Sequence, residues 1–375
     1  MHIGFDATSL LYNRGVSRYT ANVIRELVSL KQDSIYAYGN SFKNSADLTR
    51  QISKLGVPKA NIAVDAFPIQ VLEKMWQFGL NPVHKKMPKI EVFHSWDWIQ
   101  PPDASLPLVS TIHDLAILKF PETAHPTVLA QHQQAWEILK KRNAHIIAVS
   151  HSTKKDIVQL LGFNPGLIHV IHEALPIETL HTSAAMTEQK YEHSKAKLGL
   201  TRPYILAVGT REPRKNLERL IKAWQPFAKD IDLLIAGEKG WDATETNAAK
   251  FPPQLRFMGK VSDQELHVLY EEAEMLAYPS LDEGFGLPIL EAFHHGTPVL
   301  TSDRSAMPEV AGNAALLINP ESVESIRSGI SALLNESPAE QKKRLQQMIL
   351  RLQAFSWRQV AIQSRKVYQI ALQDA

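Results

Sequence analysis

Cysteine is absent from the 375-residue chain. That excludes a thiol nucleophile, a disulfide framework, thiolate-held zinc or iron–sulfur centres and any thiol redox switch. No apolar stretch reaches the roughly 18–20 residues that cross a bilayer; the charge-free run 157–172 is interrupted by Gly162, Pro165 and Gly166. The opening residues Met1-His2-Ile3-Gly4-Phe5-Asp6 lack the basic segment of a secretory leader and read as a first buried strand. Neither sign of charge prevails, with 41 Lys and Arg against 39 Asp and Glu. The expectation is a soluble cytoplasmic protein with no nucleic acid among its partners. What is present is an ordinary globular composition, 44% hydrophobic and 21% charged, in a length that suits two domains of about 100–200 residues.

Short apolar or β-branched runs alternate with amphipathic stretches through both halves, the pattern of parallel sheets covered by helices on both faces. Strands are expected over 2–5, 35–38, 62–67, 91–94, 108–112 and 145–149, with helices over 17–30, 127–142 and 153–161. Residues 173–200, polar and rich in Ala, Glu and Lys, read as a linker. Strands resume over 204–208, 233–236, 255–258, 275–278, 299–301 and 315–318, with helices over 216–227, 263–272, 287–294 and 322–334. A final helix spans 357–372. The fold class is α/β with two doubly wound Rossmann-like domains. Charge divides unevenly: residues 1–170 carry 18 cationic and 13 acidic side chains, residues 171–375 carry 23 and 26.

In such sheets ligands sit beyond the carboxyl ends of strands, where helix N-termini present free N–H groups. Gly15, in Asn13-Arg14-Gly15-Val16-Ser17-Arg18-Tyr19, opens the first helix and lets backbone approach a phosphate, although a glycine in a strand–helix turn is more often structural. Val208-Gly209-Thr210-Arg211-Glu212-Pro213-Arg214-Lys215-Asn216 ends a strand and carries three cations, a credible diphosphate clamp or simply an exposed basic turn. In Tyr278-Pro279-Ser280-Leu281-Asp282-Glu283-Gly284-Phe285-Gly286-Leu287-Pro288-Ile289-Leu290-Glu291, two carboxylates flank the N-terminus of a helix. They can accept sugar hydroxyls while the N–H groups of Gly284, Phe285, Gly286 and Leu287 hold an anion.

The segment P-S-L-D-E-G-F-G-L-P-I-L-E-A-F resembles the E-x7-E signature of retaining GT-B glycosyltransferases of family 4. V-G-T-R-E-P-R-K-N precedes it in the expected order, and P-E-V-A-G-N-A-A-L-L-I-N-P and F-S-W-R-Q-V-A follow. The first half adds G-V-S-R-Y-T, T-I-H-D-L-A and A-V-S-H-S-T-K-K-D-I. The resemblance is dense over 203–320 and thin over 40–90. It implies a nucleotide-sugar in the cleft between an acceptor-side domain, residues 1–172 with about 355–375, and a donor-side domain, residues 201–354. It further implies that Glu283 binds donor sugar hydroxyls, that Glu291 binds the ribose, and that Lys215 with Arg211 or Arg214 holds the diphosphate. Gly15 would close over the phosphate, and His113 would lie near the transferred sugar. Thr210 departs from the arginine many relatives carry directly after Val-Gly, so the identity of the arginine stays open.

His113, beside Asp114, reads from residues alone as a general base, a hydroxyl donor or a buried histidine satisfied by its neighbour; the T-I-H-D-L context favours a substrate contact. Neither a metal nor any other cofactor is expected: His84 and His294-His295 have no companions at ligand spacing, and the D-x-D at Asp230-Ile231-Asp232 leads into a strand, the wrong end for a ligand. No G-x-G-x-x-G follows either opening strand, which disfavours a dinucleotide dehydrogenase. Met75, Trp76, Phe78 and Leu80 beside Lys74, Lys85, Lys86 and Lys89 suit either a core helix with a basic loop or a surface facing anionic lipid. The resemblance thus implies a hexosyltransferase of cell-envelope polysaccharide synthesis. Mannose from GDP-mannose is the first donor and a UDP-hexose the second, a glycan or lipid-linked molecule accepts, and the inner face of the plasma membrane offers a peripheral contact. A non-catalytic nucleotide-sugar-binding or scaffold protein is the alternative of another class.

Overall fold

In a computed structural model that describes residues 1–12, 15–123, 125–240 and 252–375, alternating strands and helices build two units. The first comprises residues 1–176 and 356–375, the second residues 177–355. Asn13 and Arg14 of the first glycine loop lie outside the described residues.

Among the described residues, the first unit holds seven strands: β1 (His2–Asp6), β2 (Ser34–Asn40), β3 (Ile62–Asp65), β4 (Val92–Trp96), β5 (Leu108–Ile112), β6 (His145–Ala148) and β7 (Ile168–Val170). They pair in parallel in the order β3-β2-β1-β4-β5-β6-β7. The second unit repeats the plan with β8 (Tyr204–Val208), β9 (Asp232–Ala236), β10 (Leu255–Gly259), β11 (Met275–Tyr278), β12 (Val299–Ser302) and β13 (Leu316–Ile318), ordered β10-β9-β8-β11-β12-β13. Winding reverses between β1 and β4, and again between β8 and β11. The carboxyl ends of those pairs are the crevices in which such sheets receive ligands.

The inner strands β4, β5, β6, β9, β11 and β12 are fully buried because helices cover both faces, whereas the edge strands β3, β7, β10 and β13 are only partly buried. In the second unit Leu217, Leu220, Ile221 and Trp224 of the helix Leu217–Trp224 pack with Ile205, Leu233 and Met275 of the sheet in one core. Helices that the sequence pattern does not predict include Ser45–Lys54 and Pro338–Gln353; both are polar-rich, and few of their side chains are buried.

Residues 173–200 are a correction. They are not a linker but contain the helices Ile177–Ala184 and Glu188–Leu198, and the boundary between units falls at Pro176. The weak apolar periodicity that suggested a linker reflects helices that bury little: in the second of them only Ser194 and Leu198 are buried.

The terminal helix Trp357–Gln373 packs against the first helix, Gly15–Leu30, within the first unit. Its Trp357 indole N–H donates to the Leu175 carbonyl at 2.8 Å and meets the Tyr19 ring edge-on at 5.6 Å. Tyr368, wholly buried, hydrogen-bonds His94 Nδ1 at 2.8 Å, and His94 Nε2 meets Thr111 Oγ1 at 2.8 Å. Burial pushes the His94 imidazole down to about 3, so it serves as a neutral bridge from this helix to β5. Trp357→Ala should destabilise the first unit by about 3–5 kcal/mol through the cavity and the lost bond. Chemical unfolding followed by tryptophan fluorescence checks this, and an unchanged midpoint would contradict the role given to the helix.

Candidate functional site

The site in the second unit is made by the two loops that leave β8 and β11 at the winding reversal. After Val208 the chain turns at Gly209, whose φ is +136°; a Cβ there would stand 3.1 Å from Lys215 Cε. Gly237, after β9, is tighter, since a Cβ would fall 1.9 Å from the Gly209 carbonyl oxygen. A short turn, Pro213–Lys215, delivers the chain to Asn216, which holds a left-handed φ of +60° that asparagine tolerates well. The Asn216 side chain then donates to the carbonyls of Pro279 at 3.0 Å and Pro320 at 2.7 Å. Leu281 N–H donates to the Arg214 carbonyl at 2.7 Å, so backbone and side chain lock the two loops together.

Between them lies an ionic triad, with Glu283 buried and both cations mostly covered. Lys215 Nζ is 2.6 Å from Glu283 Oε1, and Arg214 Nη1 is 2.5 Å from Glu283 Oε2. Lys215 also donates to the Tyr278 hydroxyl at 3.0 Å, and Arg214 Nε to Glu212 Oε2 at 2.7 Å. Burial opposes ionisation of Glu283, but Arg214 and then Lys215 outweigh it and hold its carboxyl down to about 2. Burial pulls the Lys215 ammonium below its usual value against the opposing pull of Glu283, and it lifts the Tyr278 phenol well above its own. Ser305, at a left-handed φ of +55°, accepts the Glu283 N–H at 3.1 Å.

The structure therefore joins Arg214, rather than Arg211, to Lys215 and Glu283. Arg211 is buried over the Phe257 ring at 5.3 Å, with its Nε near the Glu238 carbonyl at 3.4 Å. Gly284, Phe285 and Gly286 carry the chain into the helix Leu287–His294, with Gly286 as its cap at φ +110° and Pro288 in the first turn. Phe285 is buried edge-on against Phe355 at 5.6 Å. Glu291 lies farther along that helix, 7% exposed, and accepts the Tyr270 hydroxyl at 2.8 Å. Beside it burial pushes the His295 imidazole down to about 4.

In the first unit, Gly15 opens its helix exposed, and a Cβ there would meet nothing within 4 Å. His113 follows β5 and sits between the Tyr19 ring at 4.7 Å and the Trp96 ring at 6.0 Å. Its partner is not Asp114, which accepts the Ala116 N–H at 2.9 Å. Instead His113 Nδ1 donates to Glu173 Oε1 at 2.9 Å. Burial lowers the His113 pKa, yet Glu173, helped by Asp97 and Asp114, outweighs it and the net shift is upward. His113 Nε2 is buried without a hydrogen-bond partner among the described residues. Glu173 is not legible in the sequence because it stands 60 residues away, in a polar segment with the composition of a linker. Nothing near Glu173 in the chain signals it. Asp232 of the D-x-D, buried at the start of β9, pairs with Arg202 at 2.8 Å, a structural role.

Comparison with known proteins gives this geometry its context. A model described as Glycosyltransferase Family 4 matches residues 13–179, and one described as Glycosyl transferases group 1 matches residues 188–349. The O-antigen chain mannosyltransferase B of Escherichia coli is 30% identical over 275 residues, 70% of each chain. This chain belongs to glycosyltransferase family 4. The O-antigen chain mannosyltransferase RfbU of Salmonella typhimurium is also 30% identical, over 59% of each chain. Among solved structures, sucrose-phosphate synthase from Thermosynechococcus elongatus has a TM-score of 0.70 at 18% identity with both chains fully covered. Anabaena Alr3699/HepE in complex with UDP and glucose has a TM-score of 0.71 at 16% identity, over 99% of this chain and 100% of that one. These likenesses establish the GT-B fold. The family 4 chain is thus a glycosyltransferase, with the E-x7-E pair Glu283 and Glu291 on the loop and helix that follow β11.

The depressed Glu283 carboxyl makes this glycosyltransferase's stability depend on acid. A carboxyl lowered from 4.5 to about 2 contributes stability that is present above pH 4.5 and lost as pH falls toward 2. Wild type should therefore exceed Glu283→Gln most near pH 7, and the gap should narrow through that window. Urea unfolding at a series of pH values reads it, and a gap constant with pH would be the contrary result.

Proposed function

We propose that the chain is a retaining hexosyltransferase, with mannose from GDP-mannose as the leading donor. A hydroxyl of a glycan or lipid-linked molecule in cell-envelope polysaccharide synthesis is the acceptor. The observation that carries this reading is the ionic triad of Arg214, Lys215 and Glu283 at the carboxyl ends of β8 and β11. The choice of mannose rests on the names of relatives: the two O-antigen mannosyltransferases and an MMP alpha-(1->4)-mannosyltransferase of Mycolicibacterium hassiacum, 29% identical over 237 residues. A UDP-hexose is the second donor, suggested by the UDP-glucose complex of Alr3699/HepE.

On this reading the donor diphosphate meets Arg214 and Lys215, and its charge competes with Glu283 for them. Glu283 then turns from the cations to the hydroxyls of the sugar, and Glu291 serves the ribose. As the glycosidic bond loosens, negative charge builds on the leaving diphosphate, and two preorganised cations in a water-poor site stabilise it with little reorganisation. They supply positive charge where a metal otherwise would, so transfer is proposed to need no metal and no other cofactor. His113, its ring fixed by Glu173, is assigned to a hydroxyl of the transferred sugar, and the leaving phosphate accepts the acceptor's proton. Gly15 contributes backbone N–H near the phosphate.

A peripheral membrane contact is part of the proposal. No helix among the described residues is long and apolar enough to cross a membrane. Phe78 is 79% and Leu80 56% exposed just after the helix Ile69–Gln77, whose Lys74 adds positive charge. Phe78→Asp should reduce co-sedimentation with vesicles containing phosphatidylglycerol several-fold, and undiminished binding would refute the contact. Lys215→Ala and Glu283→Ala should each cut release of GDP from GDP-mannose with acceptor by about 100-fold or more, given about 3 kcal/mol for a lost transition-state contact. Near-normal turnover by both variants on the true substrates would reject the assignment.

A further inference from the structure

Three histidines that the sequence leaves unrelated meet in the second unit, apart from the triad of Arg214, Lys215 and Glu283. His267 lies on the helix Asp263–Glu271, and His294 and His295 end the helix Leu287–His294. Together with Ser183, Tyr191 and Glu271 they line a cavity of about 580 Å³.

The hydrogen positions in this cluster are constrained by its neighbours. His295 Nδ1 lies 2.7 Å from the Glu291 carbonyl oxygen. A carbonyl only accepts, so Nδ1 carries the hydrogen and Nε2 of the neutral ring is a lone pair. On the other side, His267 Nε2 lies 3.4 Å from Glu271 Oε2, also an acceptor, which favours the hydrogen on Nε2 and the lone pair on Nδ1. His267 Nδ1 and His295 Nε2 face each other at 2.9 Å. With those tautomers two lone pairs face each other at this separation, and they repel unless a cation, a proton or a metal ion, lies between them. Two imidazole nitrogens bound to one tetrahedral metal at about 2.0–2.1 Å stand roughly 3.3 Å apart, a small relaxation from the separation found.

The surroundings fit a metal in two further respects. Metal-bound histidines characteristically donate their far N–H to a carboxylate or a backbone carbonyl, which fixes the ring, and Glu271 and the Glu291 carbonyl stand in those positions. A third nitrogen is near: His294 Nε2 is 2.9 Å from Ser183 Oγ, which is itself 3.2 Å from His267 Nδ1. The half-buried His294 ring would have to turn past this hydroxyl for its nitrogen to join the other two.

We propose that His267, His295 and His294 form a binding site for a divalent transition metal of the zinc class, oriented by Glu271 and the Glu291 carbonyl. Imidazole donors select zinc, nickel or copper over magnesium or calcium. The site is separate from the transfer chemistry and does not depend on the donor assigned above. It bears on that chemistry through Tyr270, which stacks on His295 at 5.3 Å and donates to the Glu291 carboxylate. A bound metal would stiffen the helix that carries Glu291.

The test is calorimetric titration of the metal-stripped full chain with zinc chloride at pH 7.5, beside His267→Gln and His294→Gln. Wild type should show a site that each substitution weakens at least tenfold, and saturating zinc should raise its thermal midpoint but not those of the variants. Zinc K-edge absorption of wild type loaded with one equivalent should show imidazole nitrogens at about 2.0–2.1 Å. An all-oxygen shell, affinity unchanged in both variants, or no binding at millimolar zinc would overturn the site; the last would leave a shared proton between His267 and His295. Should His267→Gln fail to fold, the His294→Gln titration and the wild-type spectrum still decide.

Discussion

Glu283, held between Arg214 and Lys215, is the interaction on which the rest of the second unit turns. Taking an ammonium and a carboxylate out of water costs several kcal/mol for each ion, and only close pairing and further hydrogen bonds offset it. The cost is met by geometry. Gly209 must be glycine for the loop to pass Lys215, Gly237 must be glycine for β9 to pass Gly209, and Asn216 must tie the first loop to the exit of β11. None of these residues has to touch a substrate to matter. They hold two cations around a buried carboxylate in an arrangement that neither loop could maintain alone, at the place where parallel strands leave open backbone ends.

The same logic, in milder form, governs the first unit. His113 stands at a strand end between aromatic rings, and Glu173 fixes its orientation and its protonation. A carboxylate that reaches the histidine from the segment after β7, two strands along the same sheet, does what a neighbour in sequence could not, because Asp114 is engaged in its own turn. The terminal helix completes this unit by covering Tyr19, which in turn packs on His113. Packing of residues after 356 thus reaches the histidine through one aromatic ring.

Much of this was legible in the chain. Alternating apolar runs and amphipathic stretches foretold two doubly wound sheets, because a strand buried on both faces must be apolar throughout and its covering helices must be amphipathic. Glu283, Lys215 and the cap at Gly286 were legible because a loop between a strand and a helix has few ways to present charge. The two helices inside 173–200 were not, since they bury little and leave almost no periodicity. Nor was the choice between Arg211 and Arg214. Both follow the same strand, and only the path around Pro213 and Asn216 sends one toward Glu283 and the other toward Phe257.

By itself, then, the sequence determined the class of fold, the family and the residue types at the two loops, because periodicity and local turn chemistry are written within a dozen residues. Tertiary structure alone decided which charges meet. It paired Glu173 with His113 over 60 residues, Arg214 with Glu283 over 69, and His267 with His295 over 28. Electrostatic and hydrogen-bonding partners are chosen by distance in space, and that distance is set by how the sheets wind, which no local stretch of chain encodes.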